Sequence, residues 1–438
     1  MFVRLDNTPR DYAWGSTTAI ASLLGYEPAG LPEAELWLGT HPGSPARILD
    51  PQQVGGFLSL DQWVAAAPEV TIGASLAKSR GQLPFLLKLL AAAHPLSLQS
   101  HPSLSQAREG FARENAEGVP LPADSRNYKD PNHKPELIVA LSDVFDALCG
   151  FRDLAETLLI FSELHHRAVA LGQSVSSLSA FIAELSVRRE SGDDAAALRW
   201  AVAWLLSGNQ NPGSAEQKGV QKLVGEVTAV AALLATTVGA NPEEPKAVAA
   251  AVETVSLLAT EYPGDPGVVV ALLLNRVQLS RGEALYLPAG NMHAYLSGLG
   301  VELMASSDNV LRGGLTAKHI DVDELVAVTV FASTPVPYLT PQDRGQGVTE
   351  YSPGISDFEL LHVRADETLN GGQVIIELAG PAIVICTAGT VEFSGALSRV
   401  TLRRGEFLFV TPDEQYLGIN GSGEIFIAKE GIGPASDE

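Results

Sequence analysis

The chain has 438 residues, of which 46% are hydrophobic, and a formal net charge of −22. That length predicts two or three domains of ~100–200 residues, with enough apolar side chains for several buried cores. The acidity argues against nucleic acid or an anionic membrane surface as a partner. Cys149 and Cys386 are the only cysteines, too few for a disulfide framework or a thiolate zinc site, and this fits a reducing cytoplasm. Met1–Arg10 mixes charge with proline and lacks the apolar core of a signal peptide. The longest apolar run, Gly267–Leu274, is far short of the ~20 residues that span a bilayer. A soluble, cytoplasmic monomer is expected.

Residues 1–150 are rich in Gly and Pro, and the apolar runs Leu83–Leu90 and Glu136–Leu141 read as short strands between turns. From Leu154 the texture changes. Ala and Leu recur at helical spacing through Ala155–Phe161, Ala195–Ala201 and Ala229–Thr237, until the breaker Tyr262-Pro263-Gly264-Asp265-Pro266-Gly267. Residues 151–264 are therefore read as an all-helical insertion. The adjacent pair His165-His166 within it cannot chelate from one helix face and is expected to be solvated. Strand-like texture resumes over 265–334 and continues over 335–438.

A weak repeat lies in that last stretch. Leu279-Ser280-Arg281-Gly282-Glu283, leading into Ala284-Leu285-Tyr286-Leu287-Pro288, is echoed by Leu402-Arg403-Arg404-Gly405-Glu406, leading into Phe407-Leu408-Phe409-Val410 and then Pro412. Each copy predicts a Gly-Glu turn, an alternating strand and a Pro turn into a further strand. Such spacing indicates a double-sheet jelly roll of the cupin type. The predicted class is mainly β with an α-helical insertion: a catalytic cupin-like domain from 1–150 and 265–334, the helical domain, and a second cupin-like domain over 335–438. Aligned on Arg-Gly-Glu, Tyr416 stands where His293 stands, so the second domain is expected to be metal-free.

Three separated segments carry the candidate metal ligands: Gln99-Ser100-His101, Asn132-His133-Lys134-Pro135-Glu136, and Pro288–Tyr295. Gln99, His101, Glu136 and His293 form a nitrogen and oxygen set without thiolates, which suits zinc acting as a Lewis acid. In an extended strand Ser97, Gln99 and His101 would project together. Pro135 disfavours the helical region for Lys134, so Lys134 and Glu136 should face one way and His133 the other. His133 is therefore not expected to be a ligand. Lys88, Lys134, Arg312 and Lys318 lie in or beside these segments, and a basic pocket in an acidic protein suggests a small anionic substrate.

The chain resembles the type I mannose-6-phosphate isomerases (phosphomannose isomerases) in four runs. They are Ala34–Pro42, Leu98–Pro102, Tyr128–Glu136, and Pro288 to Gly314 with its Val301–Gly314 segment. Gln-x-His-Pro together with Asn-His-Lys-Pro-Glu is the specific combination. The resemblance places the family's zinc ligands on Gln99, His101, Glu136 and His293, one zinc per chain, and its catalytic arginine on Arg312. It implies interconversion of mannose 6-phosphate and fructose 6-phosphate through a cis-enediolate, in mannose metabolism and GDP-mannose supply. Two nitrogens, one neutral amide and one carboxylate would leave a bound zinc with residual positive charge to stabilise the enediolate oxygen. Relatives often carry Ala where Ser100 stands, and its side chain should point off the site.

Candidate roles for the other residues stay open at this level. Arg312, before Gly313-Gly314, can hold the enediolate or the phosphate. Lys134 can shuttle a proton or bind phosphate, and Glu302, Asp308 and a zinc-bound hydroxide are further acid–base candidates. Lys88 and Lys318 are expected to take the phosphate, with Ser97 donating a hydrogen bond. Tyr295 should line the pocket, with Trp14, Glu35 and Trp37 as a sugar-facing wall, although core packing suits the tryptophans equally. Two rivals are weighed: an iron dioxygenase of the same fold, which oxygen uptake would reveal, and a non-catalytic sugar-phosphate-binding regulator, which would bind without turnover.

Overall fold

The computed structural model describes residues 1–208, 213–235, 246–366 and 373–433. Among them, helix and strand are nearly balanced, with helix slightly ahead, so the protein is mixed rather than mainly β. The excess comes from two places. One is a block of five long helices, Leu154–Ala170, Ser176–Glu190, Asp194–Ser207, Ala215–Leu234 and Lys246–Glu261; the other is a set of short helices between residues 51 and 79 that the sequence pattern did not announce. Residues 236 and 237, at the end of the expected helical run Ala229–Thr237, lie outside the described residues. The apolar run from Gly267 is a short helix, Gly267–Val270, followed by a 3-10 turn, wholly buried under the helical block. No helix among the described residues is long and apolar enough to cross a membrane.

Among the described residues, two antiparallel sheets hold the strands. The first has nine, and its organising element is the 13-residue strand His293–Ala305. The first half of that strand pairs with Gln99–Ser100 and Phe145–Phe151, and the second half with Phe85–Ala92 and Glu136–Ala140. The changeover falls at Gly298, with φ +128° and a Cβ position only 2.6 Å from the Phe145 ring. A side chain there would be excluded twice, by conformation and by space. This one strand therefore carries His293 into one face and Glu302 into the neighbourhood of Lys88, its register partner.

The second sheet has ten strands and runs from Gln342–Gly345 through the long strands Tyr416–Lys429 and Ala382–Ser394 to Phe407–Val410. It then takes two strands from the other end of the chain: Phe2–Asp6 pairs with Phe407–Val410, and Arg47–Ile48 pairs with Phe2–Asp6. Residues at the start of the 1–150 segment thus build the C-terminal sheet. No local pattern signals this, because strand partners are chosen by packing at long range. The outer faces of the two sheets share one apolar core, in which Val3, Leu5, Phe407 and Phe409 meet Leu36, Leu87, Leu89 and Val301. The helical block packs its apolar faces onto Leu98, Leu148, Met292, Ala294 and Leu296, directly behind two of the ligand segments. Asp153 caps the first long helix by accepting from the backbone N–H groups of Ala155 and Glu156.

Candidate metal centre

His101, Glu136 and His293 converge. Each offers a ligand atom, these atoms lie within 4.8 Å of one another, and the residues are only 1%, 2% and 1% exposed. His101 Nε2 lies 3.4 Å from Glu136 Oε1, and His293 Nε2 lies 3.2 Å from Glu136 Oε2. Neither contact has hydrogen-bond geometry, so His101 Nε2, His293 Nε2 and Glu136 Oε2 are buried without hydrogen-bond partners among the described residues. Buried polar atoms are nearly always satisfied, and three orphans aimed at one point describe a cation site.

The outer contacts set the tautomers. His101 Nδ1 sits 2.7 Å from the Asn309 carbonyl and His293 Nδ1 sits 3.0 Å from the Asn291 carbonyl. A carbonyl only accepts, so each Nδ1 carries the proton and each Nε2 presents a lone pair to the centre. Burial lowers the His101 imidazole to about 4, against the opposing pull of Glu136, which keeps it neutral and ready to ligate. Burial works to raise the Glu136 carboxyl, but the Lys134 ammonium and His101 outweigh it and hold it well below the usual range. Gln99 is the register partner of His293 on one side and of Arg312 on the other, which places it in the middle of a three-strand patch beside the cluster. Its side chain is half-buried.

Lys134 faces the cluster, with Nζ 3.2 Å from Glu136 Oε1, while His133 faces the opposite way and meets Asp357 Oδ1 at 3.1 Å. The alternation expected across Pro135 holds. Lys88 is buried between Glu302 at 2.9 Å and Glu35 at 3.4 Å, and stands 5.2 Å from the Trp37 ring centre. Burial alone would lower its ammonium, but Glu302, Glu35 and Glu136 raise it above its ordinary value. Glu302 is raised by burial and by Glu136 and Glu35, with Lys88 opposing. Two ammonium groups, Lys88 and Lys134, thus stand against three buried carboxylates, and a divalent cation reverses that net negative charge.

Arg312 is half-buried, and among the described residues no hydrogen bond or ion pair engages its guanidinium; burial alone lowers it. It is the site's uncommitted cation. Tyr295, two residues past His293, is fully buried beside the ligand set, and its hydroxyl meets no partner at full hydrogen-bond geometry among the described residues; burial, then Glu302 and Glu136, push it well above its ordinary value. Ser97 is half-buried, between Leu96, which donates to Tyr295 O, and Leu98, which donates to Gly314 O. Trp37 is buried with Leu86 and Met304, and its indole donates to Glu35. Trp14 is half-buried and stacks on Tyr12. Lys318 is exposed, and among the described residues no hydrogen bond or ion pair ties its side chain to the ligand set. His165 is half-buried and His166 exposed, away from the centre, as a solvated pair should be.

Sequence reasoning missed two supports. Asn309, fully buried, accepts from the backbone N–H of Lys129 and donates to the carbonyls of Asp130 and Asn132, each within 2.8 Å, so it ties the second ligand segment to the carbonyl that holds His101. The only signal was a polar Ser306-Ser307-Asp308-Asn309 run between strands. The other is His41, whose Nδ1 accepts from Gly43 N–H and whose Nε2–H donates to Asp308 at 2.9 Å. That bond holds the half-exposed Asp308 carboxylate below its usual range against the effect of burial.

The geometry agrees with comparison to known proteins. Residues 2–154 match the model of the phosphomannose isomerase type I catalytic domain. The chain is 37% identical over 425 residues to the mannose-6-phosphate isomerase of Escherichia coli (strain K12), covering 96% of this chain and 98% of that one. It is 33% identical over 417 residues to the Aspergillus fumigatus enzyme of the same name, covering 90% and 85%. A crystal structure of a phosphomannose isomerase variant from Salmonella typhimurium superposes with a TM-score of 0.81 at 33% identity, over 98% of this chain and 100% of that one. A zinc-bound mannose 6-phosphate isomerase structure superposes with a TM-score of 0.80 at 33% identity and the same coverage.

Proposed function

The chain belongs to the type I phosphomannose isomerases, and from that premise we propose that it interconverts mannose 6-phosphate and fructose 6-phosphate with one zinc ion held by Gln99, His101, Glu136 and His293. The observation that carries the metal is the trio of buried, unpartnered atoms on His101, Glu136 and His293, which the donor chemistry of zinc fits. When bound, zinc supplies Lewis acidity toward oxygens beside the reacting carbon.

The chain's own residues do the rest. Arg312, with no carboxylate to neutralise it, holds an anionic group of the substrate. The proton leaves the carbon next to the carbonyl for a group in the Lys134–Glu302 neighbourhood, where Lys134 Nζ stands 3.2 Å from Glu136 and burial with nearby carboxylates raises Glu302. Lys88 holds Glu302 in place, and Asp308, steadied by His41, lies at the exposed side as a second acid–base group. Ser97, Tyr295, Trp14, Glu35 and Lys318 complete the proposed sugar-phosphate contacts. In this reading the two β regions are cupin-type jelly rolls flanking the helical domain of residues 151–264, and the enzyme works as a cytoplasmic monomer in mannose metabolism, supplying GDP-mannose synthesis.

A coupled assay on mannose 6-phosphate, with and without chelator, tests this. Turnover untouched by chelation removes the zinc mechanism, and no turnover with metal restored removes the isomerase. Substituting Lys134, Glu302 and Asp308 in turn while following solvent-deuterium exchange at C2 identifies the base, as the variant that keeps zinc but loses exchange.

A further inference from the structure

Asp357 lies in the loop before the strand Glu359–Ala365, in the C-terminal sheet region, yet it reaches the segment that carries two site residues. It is fully buried, and its Oδ1 accepts from Arg80 Nη1 at 2.5 Å and from His133 Nε2 at 3.1 Å. His133 immediately precedes Lys134 and stands three residues before Glu136. The opposite side of this segment is held separately. Asn132 O accepts from Ser307 Oγ and Asn309 Nδ2, and Pro135 O accepts from Ala305 N–H. Those bonds fix where the segment lies. Glu136 is further held as a strand residue, in register with Met304 on one side and Leu287 on the other; the orientation of Lys134, ahead of that strand, depends also on the side chain pointing the other way.

Two further observations separate this contact from ordinary interface packing. A cavity of about 280 Å³ lies against it, lined by Arg80, Arg108, Asn132, His133, Ser306 and Asp357. In addition, Asp357 Oδ2 is buried with no hydrogen-bond partner among the described residues. A buried carboxylate with one oxygen unsatisfied costs stability, and such breaches concentrate where function retains them.

We propose that Asp357 is a positioning residue for the metal centre: acting through His133, it sets the orientation of residues 132–134 and so the aim of Lys134 at the ligand Glu136. The C-terminal sheet region thereby takes part in the isomerase chemistry without a ligand of its own. The inference rests on the isomerase reading above. Asp357→Asn and His133→Gln, singly and together, test it, with Arg80→Met as a variant that removes the other partner of Asp357 and keeps the His133 contact. The readouts are kcat and KM on mannose 6-phosphate, zinc content, and the visible bands of the cobalt(II)-loaded protein. Asp357→Asn should lower kcat about tenfold with KM within about twofold, and should displace the cobalt bands. The double variant should be no worse than the poorer single one, and Arg80→Met should stay near wild type. Unchanged cobalt bands with wild-type kcat per bound zinc, or losses that simply add in the double variant, overturn the proposal. Should Asp357→Asn fail to fold, His133→Gln carries the same spectral test from the other side of the bond. A wild-type protein without turnover removes the isomerase reading, while the cobalt bands still decide the positioning.

Discussion

The turn that leads to His293 and the turn that leads to Tyr416 are built alike. Gly282 and Gly405 both take left-handed backbone, with φ +87° and +85°. In each, a Glu side chain accepts from the backbone three residues earlier: Glu283 from Ser280 N–H and Glu406 from Arg403 N–H, both at 2.7 Å. A four-residue strand follows each, Ala284–Leu287 and Phe407–Val410, and then a long one, His293–Ala305 and Tyr416–Lys429. What differs is the lining. Around His293 stand Glu136, His101, Lys134 and, further along, Lys88 and Glu302; the strands of the other copy pack Val384, Leu408, Leu417, Ile419 and Ile425 into an apolar core. Buried charges are costly unless paired or metal-bound, and apolar burial is favourable without help. One copy of the same path has stabilising contents, and the other has contents only a cation and a substrate justify.

That contrast is sharpest at Glu136. Glu136→Gln removes the carboxylate that both histidines face, and turnover should fall by about a thousandfold or more with zinc content falling in parallel, measured by coupled assay and metal analysis. Wild-type activity in that variant would erase the distinction between the two copies. Zinc removal should act on one copy only. With free zinc at roughly 1,000 times its dissociation constant, the loss of stability is on the order of 4 kcal/mol. Amide exchange should speed up along His293–Ala305 and stay unchanged along Tyr416–Lys429; equal changes in both would show the two sheets to be one cooperative unit. Arg312→Lys keeps the charge and loses the planar fork, so turnover should drop about a hundredfold with zinc content retained.

The C-terminal copy shares a charged cluster with the turn of the first copy, and acid should find it. Glu424 lies 2.9 Å from His362 Nε2 and 3.1 Å from Arg281 Nη2, and accepts from Thr387 Oγ1 at 2.8 Å. Burial raises its carboxyl, but His362, Thr387 and Arg281 bring it down to about 2 from an ordinary 4.5. In the folded protein this carboxyl resists protonation while in the unfolded chain it does not. Its stabilisation is therefore complete above pH 4.5 and is lost as pH falls from there toward 2. The cluster is partly exposed, so screening leaves on the order of 1 kcal/mol. Glu424→Gln should flatten that part of the acid-unfolding curve, read by circular dichroism, and leave turnover per zinc at neutral pH unchanged.

How much of this was legible follows physical range. Local chemistry was readable: Pro135 forced the alternation that sends Lys134 inward and His133 outward, and the Gly-Glu turns announced the duplicated path. Contacts closed by distant segments were not. Nothing in Asn309 says that it will hold four backbone groups of the 128–132 loop and the carbonyl behind His101, because its partners are set by how two loops fold together. Phe2–Asp6 reads as an ordinary strand whichever sheet takes it. Lys88 read as a free phosphate ligand, since its charge is visible in sequence while the two carboxylates that flank it come from strands more than 50 residues before and 200 residues after it.

The smallest effect should come from the substitution that sequence alignment makes most tempting. Tyr416→His restores a histidine at the position corresponding to His293. Tyr416 pairs with Glu377 at its strand start, and its hydroxyl donates to Gly395 O at 3.2 Å. The cluster at His101, Glu136 and His293 is the one group of metal-binding type among the described residues, so the new imidazole would stand without convergent partners. A lone histidine does not assemble a zinc site, which needs about four donors at fixed spacing. The variant should bind no second zinc by metal analysis, lose about 1 kcal/mol with the hydroxyl's hydrogen bond, and turn over as wild type. A second equivalent of tightly held zinc would mean that the two copies differ by one side chain rather than by their whole lining.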